Sequence, residues 1–217
     1  MRRTLCAPGF AMTRRLAMAK GFTMIELMVT IAIFSILIAL GVPAMRTWVS
    51  NVKVRSVADA LQNGVRLAQT ESLRRSRQVV FSLTTTLPTA NGVFAPITAA
   101  ANGSFWSVNV VPALTSDAAT DTFTEFVQGG ALGAATGSVV VTGPAAICFN
   151  SAGRLVANPT TGVGSACTLP VNSPPMWNYN VSVTGADHPL RVQVTLGGKV
   201  RLCDPSQTLS TTNTYGC

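Results

Sequence analysis

Among the eight carboxylates of this 217-residue chain, Glu26 occupies the costliest surroundings. It sits in Phe22-Thr23-Met24-Ile25-Glu26-Leu27, at the front of an otherwise apolar run, with Lys20-Gly21 just before it. An ionised carboxylate within hydrocarbon costs about 3 kcal/mol or more unless a partner neutralises it. A lone acidic residue at the edge of an apolar helix ordinarily snorkels to the interface, and the Gly21-Phe22 junction is what sets this one apart. The other carboxylates suggest less chemistry. Asp59 and Glu71 fall on a predicted helix, and neither they nor Asp117, Asp121 and Glu125 have a spacing suited to paired acid and base work. A calcium site at Asp117 and Asp121 competes with a solvated acidic loop, which is the preferred reading. The single histidine, His188, lies between Asp187 and Pro189 at a predicted turn, with no nucleophile-elbow text to complete a triad. Gly198-Lys199 lacks the earlier Gly and the later Ser or Thr of a phosphate loop. The expectation is a non-enzyme without cofactor or metal.

Five cysteines are present, and Cys6 precedes Phe22. The remainder, Cys148, Cys167, Cys203 and Cys217, is an even set clustered late, which suggests two disulfides in an oxidising compartment. Sequential pairing would close one loop and pin residues 204–216, but it is one of three connectivities. Zinc is disfavoured, because no Cys-x-x-Cys occurs.

Hydrophobic residues make up 47% of the chain and charged residues only 11%, a composition that points to lipid. Residues 27–42 are polar only at Thr30 and Ser35, and with residues 22–25 and Met45 the segment is long enough to cross a bilayer core of about 20 helical residues. An ordinary signal peptide fits poorly, since Gly41-Val42-Pro43-Ala44-Met45 leads straight into another helical pattern. Apolar residues then recur at Met45, Val49, Val52, Val57, Leu61, Val65, Ala68 and Ser72, predicting an amphipathic helix to about Arg75. If the two segments are one helix, Pro43 should kink or locally unwind it. Beyond Arg77, short β-branched and aromatic runs at 78–83, 105–111, 122–127, 138–142, 146–149, 179–184 and 190–203 predict antiparallel strands. Residues 84–103 and 157–175 read as surface loops. The fold class is therefore α+β: a long N-terminal helix, half transmembrane and half amphipathic, followed by a small antiparallel β-rich head.

Lys20-Gly21-Phe22-Thr23-Met24-Ile25-Glu26-Leu27 strongly resembles the class III signal of type IV pilins and type II secretion pseudopilins. The resemblance covers residues 21–43, since the family also tolerates a helix break where Pro43 stands. It implies that a prepilin peptidase cuts between Gly21 and Phe22 and methylates the new Phe22 amine. It also implies that Glu26 pairs with the N-terminal amine of a neighbouring subunit, which supplies the missing partner. The implied organisation is a leader at 1–21, a transmembrane half at 22–45, an amphipathic half at 46–77 and a periplasmic head at 78–217. The chain would lie in the inner membrane as a single-pass protein before entering a pilus or pseudopilus with other pilins. The leader is long for the family, which makes Met12 and Met18 alternative starts. Its loss removes five of the charges behind the net +8, leaving +3.

The text Val57-Ala58-Asp59-Ala60-Leu61, Ala68-Gln69-Thr70-Glu71-Ser72 and Arg74-Arg75 is similar to the GspH/FimT subfamily of minor pilins. So are Cys148-Phe149-Asn150-Ser151-Ala152-Gly153-Arg154 and Lys199-Val200-Arg201-Leu202-Cys203. The resemblance leaves a fork between a structural GspH-type pseudopilin in protein secretion and a FimT-type pilin in DNA uptake. Residues 190–195 alternate strictly, and a three-residue loop 196–198 with Gly198 left-handed keeps both hairpin faces uniform. Val194 then opposes Val200 and Gln193 opposes Arg201, while Arg191, Lys199 and Arg201 share a solvent face. Gly198-Lys199-Val200-Arg201 is close to the Gly-Arg-x-Arg pattern of DNA-binding FimT-type pilins, with Lys199 giving up the guanidinium fork. Double-stranded DNA is thus a candidate partner, against the plainer reading of a charged edge that resists aggregation.

Overall fold

The computed structural model describes residues 21–88, 98–111, 125–133, 139–158 and 166–217. The chain divides into two compact units, Met1–Val42 and Pro43–Cys217. One helix, α1 (Met24–Arg75), contributes to both, and helical backbone continues through Pro43 rather than unwinding there.

Residues 21–42 of the first unit are exposed throughout, and α1 is long and apolar enough here to cross a membrane. The two polar side chains inside the run are satisfied by the helix itself. Thr30 donates to the Leu27 carbonyl at 2.9 Å and Ser35 to the Ala32 carbonyl at 2.8 Å. Neither hydroxyl then needs water, the condition for placing it in hydrocarbon.

In the second unit α1 buries Val54, Val57, Ala58, Leu61, Val65, Ala68 and Ser72. The stripe drawn from the sequence joined two different faces. Val57, Leu61, Val65, Ala68 and Ser72 are in the core, whereas Met45, Val49 and Val52 are exposed. The step from Val52 to Val57 is five residues, a rotation of about 500° at 3.6 residues per turn, which lands about 140° away. The helix ends in a left-handed Ser76, φ 52°, with the Arg77 N–H bonded to the Ser72 carbonyl at 3.3 Å. Arg74 and Arg75, in the last turn, reach back to Glu71 at 2.6 and 2.8 Å.

Among the described residues nine strands follow: β1 (Val79–Thr84), β2 (Phe105–Val110), β3 (Glu125–Ala131), β4 (Val139–Thr142), β5 (Ala146–Phe149), β6 (Leu155–Val156), β7 (Met176–Val183), β8 (Leu190–Thr195) and β9 (Val200–Cys203). They form two antiparallel sheets, β3-β2-β1-β5-β6 and β4-β7-β8-β9. Central β1 is buried on both faces. Val79, Phe81 and Leu83 join the core that also holds the α1 stripe, while Val80 packs in a second cluster with Val111, Ala146, Cys148 and Cys167. Phe81 stacks on Trp106 and meets Tyr179 edge-on, centroids 6.2 and 6.1 Å apart. Gly64 admits this pair to the helix surface, since a Cβ there would lie 2.9 Å from Phe81. The sheets are tied where the Leu155 N–H donates to the Leu196 carbonyl at 3.0 Å.

The predicted strands recur with shifted ends. β7 starts at Met176, three residues before the alternation was read, and β3 runs on to Ala131 through Gly129-Gly130, which a sequence reading takes as a stop. A Cβ on Gly130 would lie 3.2 Å from the Trp106 indole, so packing on Trp106 favours glycine in this strand. Asp117 and Asp121 lie outside the described residues.

Candidate functional site

At the front of the chain Gly21 and Phe22 are open, Phe22 being 78% exposed, and nothing approaches within 4 Å of where a Gly21 Cβ would be. The helix is started by Thr23. Its Oγ1 accepts the Glu26 N–H at 3.3 Å and its carbonyl accepts the Leu27 N–H at 3.2 Å. Thr23 is missing from the site drawn by the charge argument, although Thr-x-x-Glu before an apolar run is a helix-start signature. Glu26 thereby stands in the first turn, where the positive end of the helix favours a carboxylate. Gly21 and Phe22, the two residues of the expected cut, precede this turn as non-helical backbone.

The β8–β9 hairpin has the register read from its alternation: Val194 faces Val200, Gln193 faces Arg201 and Arg191 faces Cys203. Gly198 has φ +85°, and its N–H donates to the Thr195 carbonyl at 2.9 Å. The expected uniform basic face is not free solvent, however. Arg191 donates through Nε to Asn180 Oδ1 at 2.6 Å, and Arg201 donates to the carbonyls of Thr214, at 3.3 Å, and Gly216. Gln193 and Cys203 on that face are buried. The C-terminal tail lies over it, held by the Cys203–Cys217 disulfide and by buried Asp204, whose carboxylate accepts from Ser206 and Gln207. Lys199 is left exposed. Two cations from other elements come to this end of the hairpin. Arg66 on α1 points at the Val200 carbonyl at 3.5 Å, and exposed Arg154 follows Gly153, whose carbonyl abuts Gly198.

A model of the prokaryotic N-terminal methylation motif matches residues 16–42. Over those residues the front of the chain is similar to that motif. The match ends at Val42, the last residue of the first unit. Two crystal forms of the Pseudomonas aeruginosa type IV minor pilin FimU align with the chain. One aligns at 13% identity and TM-score 0.46, over 70% of this chain and 92% of FimU. The other aligns at 12% and 0.44, over 70% and 96%. No curated protein sequence matches.

The remaining candidates have structural surroundings. Cys148 is bonded to Cys167 at 2.04 Å, closing the loop beside β5. No group of three or more His, Cys, Asp or Glu able to hold a metal exists among the described residues. His188 is exposed in the β7–β8 connection, and its N–H, like that of Asp187, donates to Asn51 Oδ1. Asn51 in turn donates to Asp187 at 2.5 Å, which, with lesser contributions from the backbone and His188, holds that carboxyl below its ordinary value. This pair fastens the connection to α1.

Proposed function

We propose that the chain is a minor subunit of a type IV pilus or type II secretion pseudopilus, cut between Gly21 and Phe22 by a prepilin peptidase that methylates Phe22. The observation that carries the reading is the arrangement at the front of the chain. An open Gly-Phe junction leads at once into a Thr23-capped helix with a carboxylate in its first turn and every polar side chain of the apolar run internally bonded. Cutting there creates an ammonium four residues from Glu26, and in lipid neither charge is tolerable alone. Pairing Glu26 with the amine of a neighbouring subunit neutralises both, so the charge that is costly in a single subunit drives entry into a filament. Arg2, Arg3, Arg14, Arg15 and Lys20 before the apolar segment outnumber Arg46, Lys53 and Arg55 after it. That asymmetry supports a cytoplasmic front and a periplasmic head.

The test is intact mass and N-terminal sequencing of protein recovered from membranes of cells with a prepilin peptidase. The expected product starts at methylated Phe22; a product cut after the apolar segment, near Ala44, overturns the reading. Glu26→Ala should be inserted and cut normally but enter filaments poorly, and normal incorporation refutes the pairing role.

A second reading concerns the head: double-stranded DNA held by phosphate contacts, against a purely structural GspH-type role. It is favoured by Lys199 standing free where Arg66 and Arg154 also arrive, although Arg191 and Arg201 are already engaged by Asn180 and the tail. Each phosphate contact steepens the salt dependence of log K by about 0.9. Duplex binding without such a slope, or unchanged in Lys199→Ala, rules this reading out.

A further inference from the structure

The first turns of α1 in the second unit have their polarity turned inside out. Met45, Trp48, Val49 and Val52 are spaced three and four apart, so they share one face. At about 100° per residue that face lies opposite the buried stripe of Val54, Ala58, Leu61 and Val65. All four are exposed, Trp48 by 64% and Met45 by 63%. The residues on the core side of these turns, Thr47, Ser50 and Asn51, are polar and half-buried, and Asn51 is bonded to the β7–β8 connection. A helix serving only a water-exposed head would place these groups the other way round.

The charges beside this face have one sign. Arg46 and Lys53 flank it on one side and Arg55 on the other, all exposed; no acidic residue occurs between Glu26 and Asp59, and Asp59 makes an exposed 3.8 Å pair with Arg55. The face also begins where the apolar segment ends. Residues 22–42 span about 30 Å as helix, the thickness of a hydrocarbon core, so Trp48 falls within two turns of the lipid boundary. Trp is enriched at that depth, with its ring among headgroups and acyl ends. Apolar anchors rimmed by cations, beside a bilayer with anionic lipids, are the makings of an interfacial helix.

We propose that Met45, Trp48, Val49 and Val52 form a lipid-interface face, seated among anionic headgroups by Arg46, Lys53 and Arg55, that holds the subunit close to the membrane before assembly. This rests on residues 22–42 being a membrane anchor.

The test uses the full chain reconstituted into phosphatidylcholine vesicles with and without phosphatidylglycerol, containing lipids brominated near the glycerol end of the acyl chains. Subtracting the emission of a Trp48→Phe variant isolates Trp48 from Trp106 and Trp177. Bromolipid should quench Trp48, and aqueous iodide should reach it poorly. Replacing Arg46, Lys53 and Arg55 together by Gln should cut the bromolipid quenching several-fold in vesicles containing phosphatidylglycerol and leave it unchanged in phosphatidylcholine alone. A chain that floats with the vesicles while Trp48 stays open to iodide overturns the proposal and leaves the anchor intact. A chain that does not float overturns the anchor itself. Protection that rises with the protein-to-lipid ratio and ignores bromolipid means a second copy covers the face, which also overturns the proposal.

Discussion

Replacing Gly198 by Ala tests the hairpin at its tightest point, and its neighbour supplies the control. Gly198 has φ +85°, a region an L side chain enters at a cost of about 1–2 kcal/mol. Its Cβ would fall inside van der Waals contact of the Gly153 carbonyl oxygen and of the Gln69 amide. The Gly153 oxygen belongs to backbone and cannot rotate away. Gln69 can move, but it donates to that same oxygen at 3.0 Å, and losing this bond removes about 1 kcal/mol. With some separation of the turn from the helix, the total is about 3–4 kcal/mol, at the upper end of single substitutions. Gly197 has open space around it, nothing lying closer than Thr195 Oγ1 at 3.9 Å, and no left-handed φ. Gly197→Ala should therefore be neutral or stabilise by up to about 1 kcal/mol through the unfolded state. Urea unfolding of the full chain in detergent micelles, disulfides intact, compares the two through the midpoint at constant slope. Equal midpoints for the two variants would refute the reasoning, because only the tertiary contact and the backbone sign distinguish these adjacent glycines.

The two faces of α1 predict opposite outcomes: Leu61→Ala should destabilise by about 2–5 kcal/mol in the same assay, and Val52→Ala by less than about 0.5. Glu71 is held below the ordinary carboxylate value, first by its bond to Arg74 and then by Arg75. A depressed folded pKa means stability that is present above the unfolded value of about 4.3 and is lost as pH falls through the lower folded one. Thermal midpoints should fall across that acid window, less steeply in Glu71→Gln, and parallel curves would refute the assignment. Opening the Cys203–Cys217 loop, a sequence separation of 14, by replacing both cysteines with Ser should cost about 3 kcal/mol. It should also release the tail from Arg201, which limited proteolysis after Thr214 reports.

The local grammar of the chain was enough for much of this molecule. Hydropathy marked the long apolar stretch of α1, since residues 22–42 carry a single charged side chain, Glu26. Alternation and the Gly197-Gly198 pair were enough to derive the hairpin register, because a slip of one residue would put Val194 and Val200 on the charged face. Tertiary structure alone decided which helical stripe is core: Val52 and Val57 are equally apolar, and only the sheets make one buried and the other exposed. It also decided the fate of the basic face. Arg191, Lys199 and Arg201 alternate as solvent residues should, but Cys203 follows Arg201 by two and lies on the same face. Its disulfide therefore brings the tail over Arg201, whose guanidinium bonds the Thr214 and Gly216 carbonyls. Periodicity records which side of a strand a residue takes, not what distant segment comes to cover it.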